Sequence, residues 1–250
     1  MTTRSPPFVK ICCIASLQEA ELAMALGADA LGLVSAMPSG PGVISDVLVA
    51  EIAAAVARKA TPSAAVRPTV NSFAVKSFPV KSFPVNTFPV KTFLLTSRQT
   101  AQDIAAQHAI CNTNTLQLVD DVAPEELRLL RRLLPHVELV QVIHVVDELA
   151  LHQALAVAPW VDMLLLDSGN PRLAVKELGG TGRTHNWEIS QRIVAAAPVP
   201  VLLAGGLNAQ NARASLQNVS PYGLDICSDV RSGGQLDAEK LAAFMQAVKT

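Results

Sequence analysis

Short, uninterrupted apolar runs alternate with amphipathic ones along the chain, and this alternation restricts the fold more than any other feature of the sequence. VKICCI (9–14) reads as a strand and LQEAELAMALG (17–27) as a helix closed by a glycine. ALGLVSA (30–36) is the next strand, followed by the helix SDVLVAEIAAAVARK (45–59) with Ser45 as its N-cap. The pattern repeats in TFLLTS (92–97) and RQTAQDIAAQHA (98–109), TLQLV (115–119) and APEELRLLRRLL (123–134), and VELVQVIHV (137–145) and DELALHQALAVA (147–158). It continues through VDMLLLDS (161–168) and WEISQRIVAAA (187–197), then VPVLLAGG (199–206) and NAQNARASLQNV (208–219). GLDICS (223–228) and DAEKLAAFMQAV (237–248) complete the series. Strands that are apolar throughout are those of a parallel sheet covered on both faces. Eight such units in 250 residues predict an α/β fold, a single (β/α)8 TIM barrel with residues 1–250 forming one domain. An open doubly wound sheet is the alternative, but no G-x-G-x-x-G follows the first strand.

Composition excludes several functions. The net charge of −1 offers no electrostatic basis for binding nucleic acid or an anionic membrane. No apolar run reaches the roughly 18 residues of a membrane-spanning helix, and MTTRSPPFVK lacks the apolar stretch of a signal peptide. Cys12, Cys13, Cys111 and Cys227 form no C-x-x-C, so neither a disulfide framework nor a metal site is expected. His108, His136 and His152 show no metal spacing either, and His144 reads as a core histidine. The expectation is a soluble cytoplasmic protein that needs no cofactor.

In such a barrel the active site lies at the C-terminal ends of the strands. Strand alternation puts Lys10 and Cys12 on one side and Cys13 on the other. An ammonium beside a thiol eases its ionisation, so Cys12 is a candidate base or nucleophile; both cysteines also read as small buried hydrophobes. Asp167 ends the very apolar sixth strand, where a carboxylate has few structural tasks. The glycine-rich ELGGTGRTHNW (177–187) brings backbone amides close to a ligand through Gly180, Thr181 and Gly182, or is simply a flexible loop. Gly205 and Gly206, ahead of a helix beginning at Asn208, and Ser228 with Asp225 on the eighth strand, occupy the usual phosphate position.

Taken together, VKICCI, LGADALGLV, LLLDS, GGTGRTHNW, LLAGGLNAQN and DICSDV resemble the phosphoribosylanthranilate isomerase family of tryptophan biosynthesis, in order and over nearly the whole chain. The resemblance implies an aldose–ketose isomerase carrying out an Amadori rearrangement, with Asp167 as acid and Cys12 as base. It implies a small phosphorylated sugar-amine as ligand, with phosphate held near Gly180–Gly182, Gly205–Gly206 and Ser228, and a monomer or homodimer. The chain departs from the family pattern at four places. Cys13 replaces a glycine, and Gly42 stands where the family's arginine grips the anthranilate carboxylate. Gln117-Leu118-Val119-Asp120 replaces Q-L-H-G, and Asp229 puts a carboxylate where phosphate is expected. Arg172, Lys176 or Arg231 would then have to face the substrate carboxylate. The alternative is a barrel of the same family that acts on, or only binds, a different phosphorylated ligand.

One stretch interrupts the barrel pattern. SFAVKSFPVKSFPVNTFPVKTFLLTS (72–97) contains a pentapeptide starting at Asn71, Lys76, Lys81 and Asn86. Its period matches neither strand nor helix, and Pro79, Pro84 and Pro89 each remove a backbone donor. Residues 60–90 therefore read as a low-complexity pentapeptide-repeat insertion before strand 3, an irregular or extended excursion away from the active site rather than a second domain. Exposed phenylalanines there would also serve to bind a partner. Deleting residues 71–90 should leave ligand binding intact, as titration calorimetry would measure. Loss of binding by a folded deletion variant would reject that reading.

Overall fold

Apolar parallel strands need a layer on each face, and a closed ring of strands wrapped by helices supplies both. The computed structural model describes residues 6–60, 89–179, 182 and 184–249, and it has this arrangement. The strands are β1 (Phe8–Ile11), β2 (Ala30–Val34), β3 (Lys91–Thr96), β4 (Thr115–Leu118), β5 (Glu138–His144), β6 (Met163–Asp167), β7 (Val201–Leu203) and β8 (Gly223–Ile226). They pair in parallel in chain order, and β8 pairs with β1 to close the barrel. The helices between and after them are α1 (Leu17–Ala25), α2 (Asp46–Ala60), α3 (Ala101–Cys111), α4 (Pro124–Leu133), α5 (Leu149–Val157), α6 (Trp187–Ala196), α7 (Ala212–Val219) and α8 (Ala238–Lys249). The predicted (β/α)8 barrel is thus observed. The repeat falls between α2 and β3, as read; its conformation lies outside the described residues, as do Gly180 and Thr181. No helix among the described residues is long and apolar enough to cross a membrane.

Local signals account for several boundaries. The Ser45 hydroxyl accepts the Leu48 amide at 3.2 Å, which caps α2 as expected. Gly27, at φ +89°, ends α1. One boundary differs: α7 begins at Ala212, not at Asn208. The Asn208 carboxamide accepts the amides of Gln210 and Asn211, and Asn211 in turn accepts the Asn208 amide, so these residues close a turn on themselves ahead of the helix. A short antiparallel hairpin, β9 (Arg231–Ser232) with β10 (Gln235–Leu236), also precedes α8.

Strand alternation divides the core in two. Val9, Ile11, Leu31, Leu33, Leu164 and Leu166 point outward into the layer shared with the helices. Cys12, Ala30, Val34, Phe93, Leu95, Met163 and Leu165 fill the barrel interior. Lys10 points inward with them and is fully buried. Its ammonium meets the Asp225 carboxylate of β8 at 2.8 Å and lies 5.4 Å from the centre of the Phe93 ring. Gly32 makes room for this pair: a Cβ there would stand 3.0 Å from both Lys10 Nζ and Cys12 Sγ. Burial works to lower the Lys10 pKa, but the facing Asp225, followed by Cys12, holds it above the ordinary lysine range. Burial works to raise Asp225 while Lys10 pulls it down. Lys10 therefore keeps its proton, and each partner's charge depends on the other.

Removing one member of a buried pair strands the other's charge. Lys10→Met should cost about 3–5 kcal/mol of stability in urea unfolding. Lys10→Met combined with Asp225→Leu should lose clearly less than the two single changes summed.

Candidate active site

The C-terminal ends of the strands open into a cavity of about 710 Å³, which includes its open mouth. It has the dimensions of a small-molecule site. Cys12 follows β1, Asp167 ends β6, Gly205 and Gly206 follow β7, and Asp225 and Ser228 come from β8 and the turn after it; all line the cavity, as does Gly182. The predicted site residues that are described therefore converge, with Lys10 buried behind them. Ser228 and Asp229 sit exposed at the rim, so the rim carries a carboxylate beside the glycine turn expected to take phosphate.

Asp167 is 7% exposed. Burial raises its pKa, opposed by the Ser168 amide, which donates to Oδ1 at 2.8 Å, and by the neighbouring His144. A carboxyl in this setting is favoured in its protonated form and can act as an acid. Gly179 crosses directly in front of it: at φ +139°, a Cβ there would lie 2.8 Å from Asp167 Oδ2. His144 meets the Val119 carbonyl through Nε2 at 2.9 Å, as befits a core histidine.

Cys12 behaves differently from the sequence expectation. The neighbouring Cys13 thiol and the Lys10 ammonium favour its ionised form. The facing Cys227, together with burial, outweighs both and raises its pKa. Cys12 thus favours the thiol, with Lys10 as a cation favouring its ionised form. Cys13 continues the turn in the left-handed region, at φ +61°, where a glycine would be unstrained. Arg231 holds that turn in place. Its guanidinium donates to the carbonyls of Cys12 and Cys13 while pairing with Glu19 at 3.0 Å.

Arg231 is therefore occupied beneath the site rather than facing a substrate carboxylate. Arg172 pairs with Asp147 at 2.6 Å and Lys176 with Asp120 at 2.5 Å. None of the three lines the cavity, whose described wall carries no lysine or arginine. His185 turns onto Ser190 Oγ at 2.7 Å, and burial pushes it down to about 4. Two features were missed in the sequence. The reciprocal Asn208–Asn211 bonds, with Asn211 also donating to the Gly206 carbonyl at 2.9 Å, brace the Gly205–Gly206 turn; the N-x-x-N spacing carries that signal. Buried Gln117 also lines the cavity, its Oε1 without a partner among the described residues, and the sequence named it only within the Gln117–Asp120 segment.

The two departures at Cys13 and Gly42 are in contact. Gly42 has φ +77°, and a Cβ there would lie 2.6 Å from Cys13 Cβ. The space that a longer residue 42 would need is filled by the side chain of residue 13.

A family model described as N-(5'-phosphoribosyl)anthranilate (PRA) isomerase matches residues 49–247. A protein named N-(5'-phosphoribosyl)anthranilate isomerase from Pelobacter propionicus is 32% identical over 242 residues, covering 96% of this chain and 95% of its own. A protein of the same name from Haloferax volcanii is 40% identical over 151 residues, which are 60% of this chain and 63% of that one. The crystal structure of phosphoribosyl anthranilate isomerase from Thermotoga maritima superposes with a TM-score of 0.72 at 22% identity, covering 97% of this chain and 98% of that one. At that identity the superposition bears on the fold.

A bulky side chain at 42 meets both a strained backbone and Cys13, so Gly42→Arg should cost about 1–3 kcal/mol in urea unfolding. The cost should shrink in a Cys13→Gly background. Equal losses in the two backgrounds would separate the two positions.

Proposed function

The chain belongs to the N-(5'-phosphoribosyl)anthranilate isomerase family, and we propose that Cys12 and Asp167 carry out that family's Amadori rearrangement in it. The reaction converts N-(5-phosphoribosyl)anthranilate into 1-(carboxyphenylamino)-1-deoxyribulose 5-phosphate in tryptophan biosynthesis. The observation that carries this reading is a buried, protonation-favouring carboxyl and a thiol above an ammonium, on different strands of one cavity.

Protonated Asp167 gives its proton to the ring oxygen of the aminated ribose, and the ring opens to an imine. Cys12, ionised, removes the proton from C2, with Lys10 beneath it favouring the thiolate. The resulting enolamine collapses to the ketose. The turn at Gly205–Gly206, braced by Asn211, together with Gly182 and Ser228, offers backbone and hydroxyl donors to the phosphate, which anchors the reacting carbons from the remote end. The aromatic ring has Met37, Pro41 and Leu178 to pack against. No described cation faces its carboxylate, and Asp229 stands at the rim. Those two facts favour the second reading, a barrel of this family shifted to another phosphorylated ligand.

Complementation of a tryptophan auxotroph lacking this isomerase separates the two readings. Growth that disappears with Cys12→Ala and with Asp167→Asn supports the isomerase; no growth from a well-expressed folded protein favours the shifted ligand. In steady-state assays each substitution should lower kcat by roughly 10²-fold or more. The acid form of Asp167 is lost as pH rises through its raised pKa, and the base form of Cys12 is lost as pH falls below its own. The profile of kcat/KM should therefore be bell-shaped, with one limb missing in Asp167→Asn.

A further inference from the structure

Cys12 follows β1 by one residue and Cys227 follows β8 by one residue, and the register of these strands makes them neighbours. Ile11 pairs with Ile226, and the Cys12 amide donates to the Ile226 carbonyl at 2.8 Å. Each lies one residue past that last paired step, and Cys227 packs against the inner cluster that contains Cys12; neighbouring strands stand roughly 4.8 Å apart, a spacing that a disulfide can bridge. Cys12, Cys13 and Cys227 all line the cavity, all are free thiols, and Cys227 packs against the inner cluster that holds the other two. Cys12 and Cys13 are buried, whereas Cys227 is partly open to solvent. A small oxidant entering the mouth therefore reaches Cys227 first. The neighbouring Cys12 and Cys13 thiols, with Arg231 adding to them, also pull the Cys227 thiol down to about 4, into the form that peroxide attacks. The isomerase chemistry leaves Cys227 unused.

We propose that Cys227 is a peroxide-reactive thiol that closes a reversible disulfide with Cys12 and so withdraws the base from the site. The loss of activity, though not the disulfide itself, rests on Cys12 being that base. The Cys227 sulfur attacks hydrogen peroxide, the O–O bond breaks, and the released hydroxide takes up a proton to leave as water; Cys227 becomes a sulfenic acid. The Cys12 sulfur then attacks the Cys227 sulfur, the S–O bond breaks, and the hydroxide departs as water with the Cys12 proton. One peroxide is reduced and one pair of thiols is oxidised. Cys13 is the poorer partner: its thiol also turns to the Pro41 carbonyl at 3.6 Å, and Arg231 fixes its left-handed backbone. A dithiol reductant restores both thiols.

The test treats the full chain with hydrogen peroxide, alkylates the remaining thiols and maps tryptic peptides, in which residues 11–58 carry Cys12 and Cys13 and residues 214–231 carry Cys227. The expected result is a link between these two peptides that persists in Cys13→Ala and is absent in Cys227→Ser. Activity should fall in proportion to the linked fraction and return with dithiothreitol. Cys227→Ser, scored against its own untreated activity, should retain more of it than the native chain does. Failure of the link to form, with Cys227 still alkylated, overturns the proposal, as does a link that vanishes in Cys13→Ala. A link through Cys12 with undiminished activity upholds the disulfide and rejects Cys12 as the base. The native-chain map needs no variant, so a substitution that fails to fold leaves the proposal testable.

Discussion

A lysine and an aspartate in direct contact inside the barrel are the constraint on which the rest of the site depends. Two charges in a low-dielectric interior are costly to place there and strongly attracted once placed. Lys10 and Asp225 meet at 2.8 Å across the seam where β1 and β8 close the ring. The neighbours accommodate the pair: Phe93 presents its ring to the ammonium, and position 32 carries no side chain. Cys12 sits above this pair, so the charge that would stabilise its thiolate is also the charge that holds the barrel's last seam together.

The other half of the site uses the opposite device. Among the described residues Asp167 has no cation at hydrogen-bond distance, and its burial favours the neutral acid. Both titratable groups in the cavity are thus pushed towards their protonated forms, one over an ammonium and one against apolar walls and a glycine backbone. Support comes from groups that never reach the cavity. Arg231 braces the Cys12–Cys13 turn from below, and Asn211 braces the Gly205–Gly206 turn from the side. Both act on backbone carbonyls, and such a constraint fixes a loop without adding side chains to the wall of the cavity.

The sequence was most legible where the signal was periodic. Alternation located all eight strands and put Lys10 and Cys12 on one face, and the division of Val9 and Ile11 from Cys12 between the two core layers matches it. Asp167 could be found because a carboxylate ends a run of leucines. What escaped was pairing between residues far apart in the chain. Nothing near Lys10 indicates that its partner is Asp225, and nothing near Arg231 indicates that it turns under the Cys12–Cys13 carbonyls. The thiol network belongs to the same class: a lysine beside Cys12 promised a lowered pKa, while Cys227, read from another strand, reverses the balance. Local side-chain chemistry misplaced one boundary, because the Asn208–Asn211 turn displaces the start of α7. The substitutions at positions 13 and 42 were read separately, and only the fold shows that they share one space.

The seam between the first and last strands also bears on the order in which the molecule can be made. Lys10 leaves the ribosome early, and the carboxylate it needs follows 215 residues later. The guanidinium that holds the Cys12–Cys13 turn emerges later still. Until then the nascent chain carries a lone ammonium on a strand that cannot yet be buried, while the intervening units are free to assemble beside one another. The C-terminal end of β1 therefore cannot take its final form before β8 and Arg231 are present, and a chain released before β8 would lack the counter-charge that meets Lys10 in the ring.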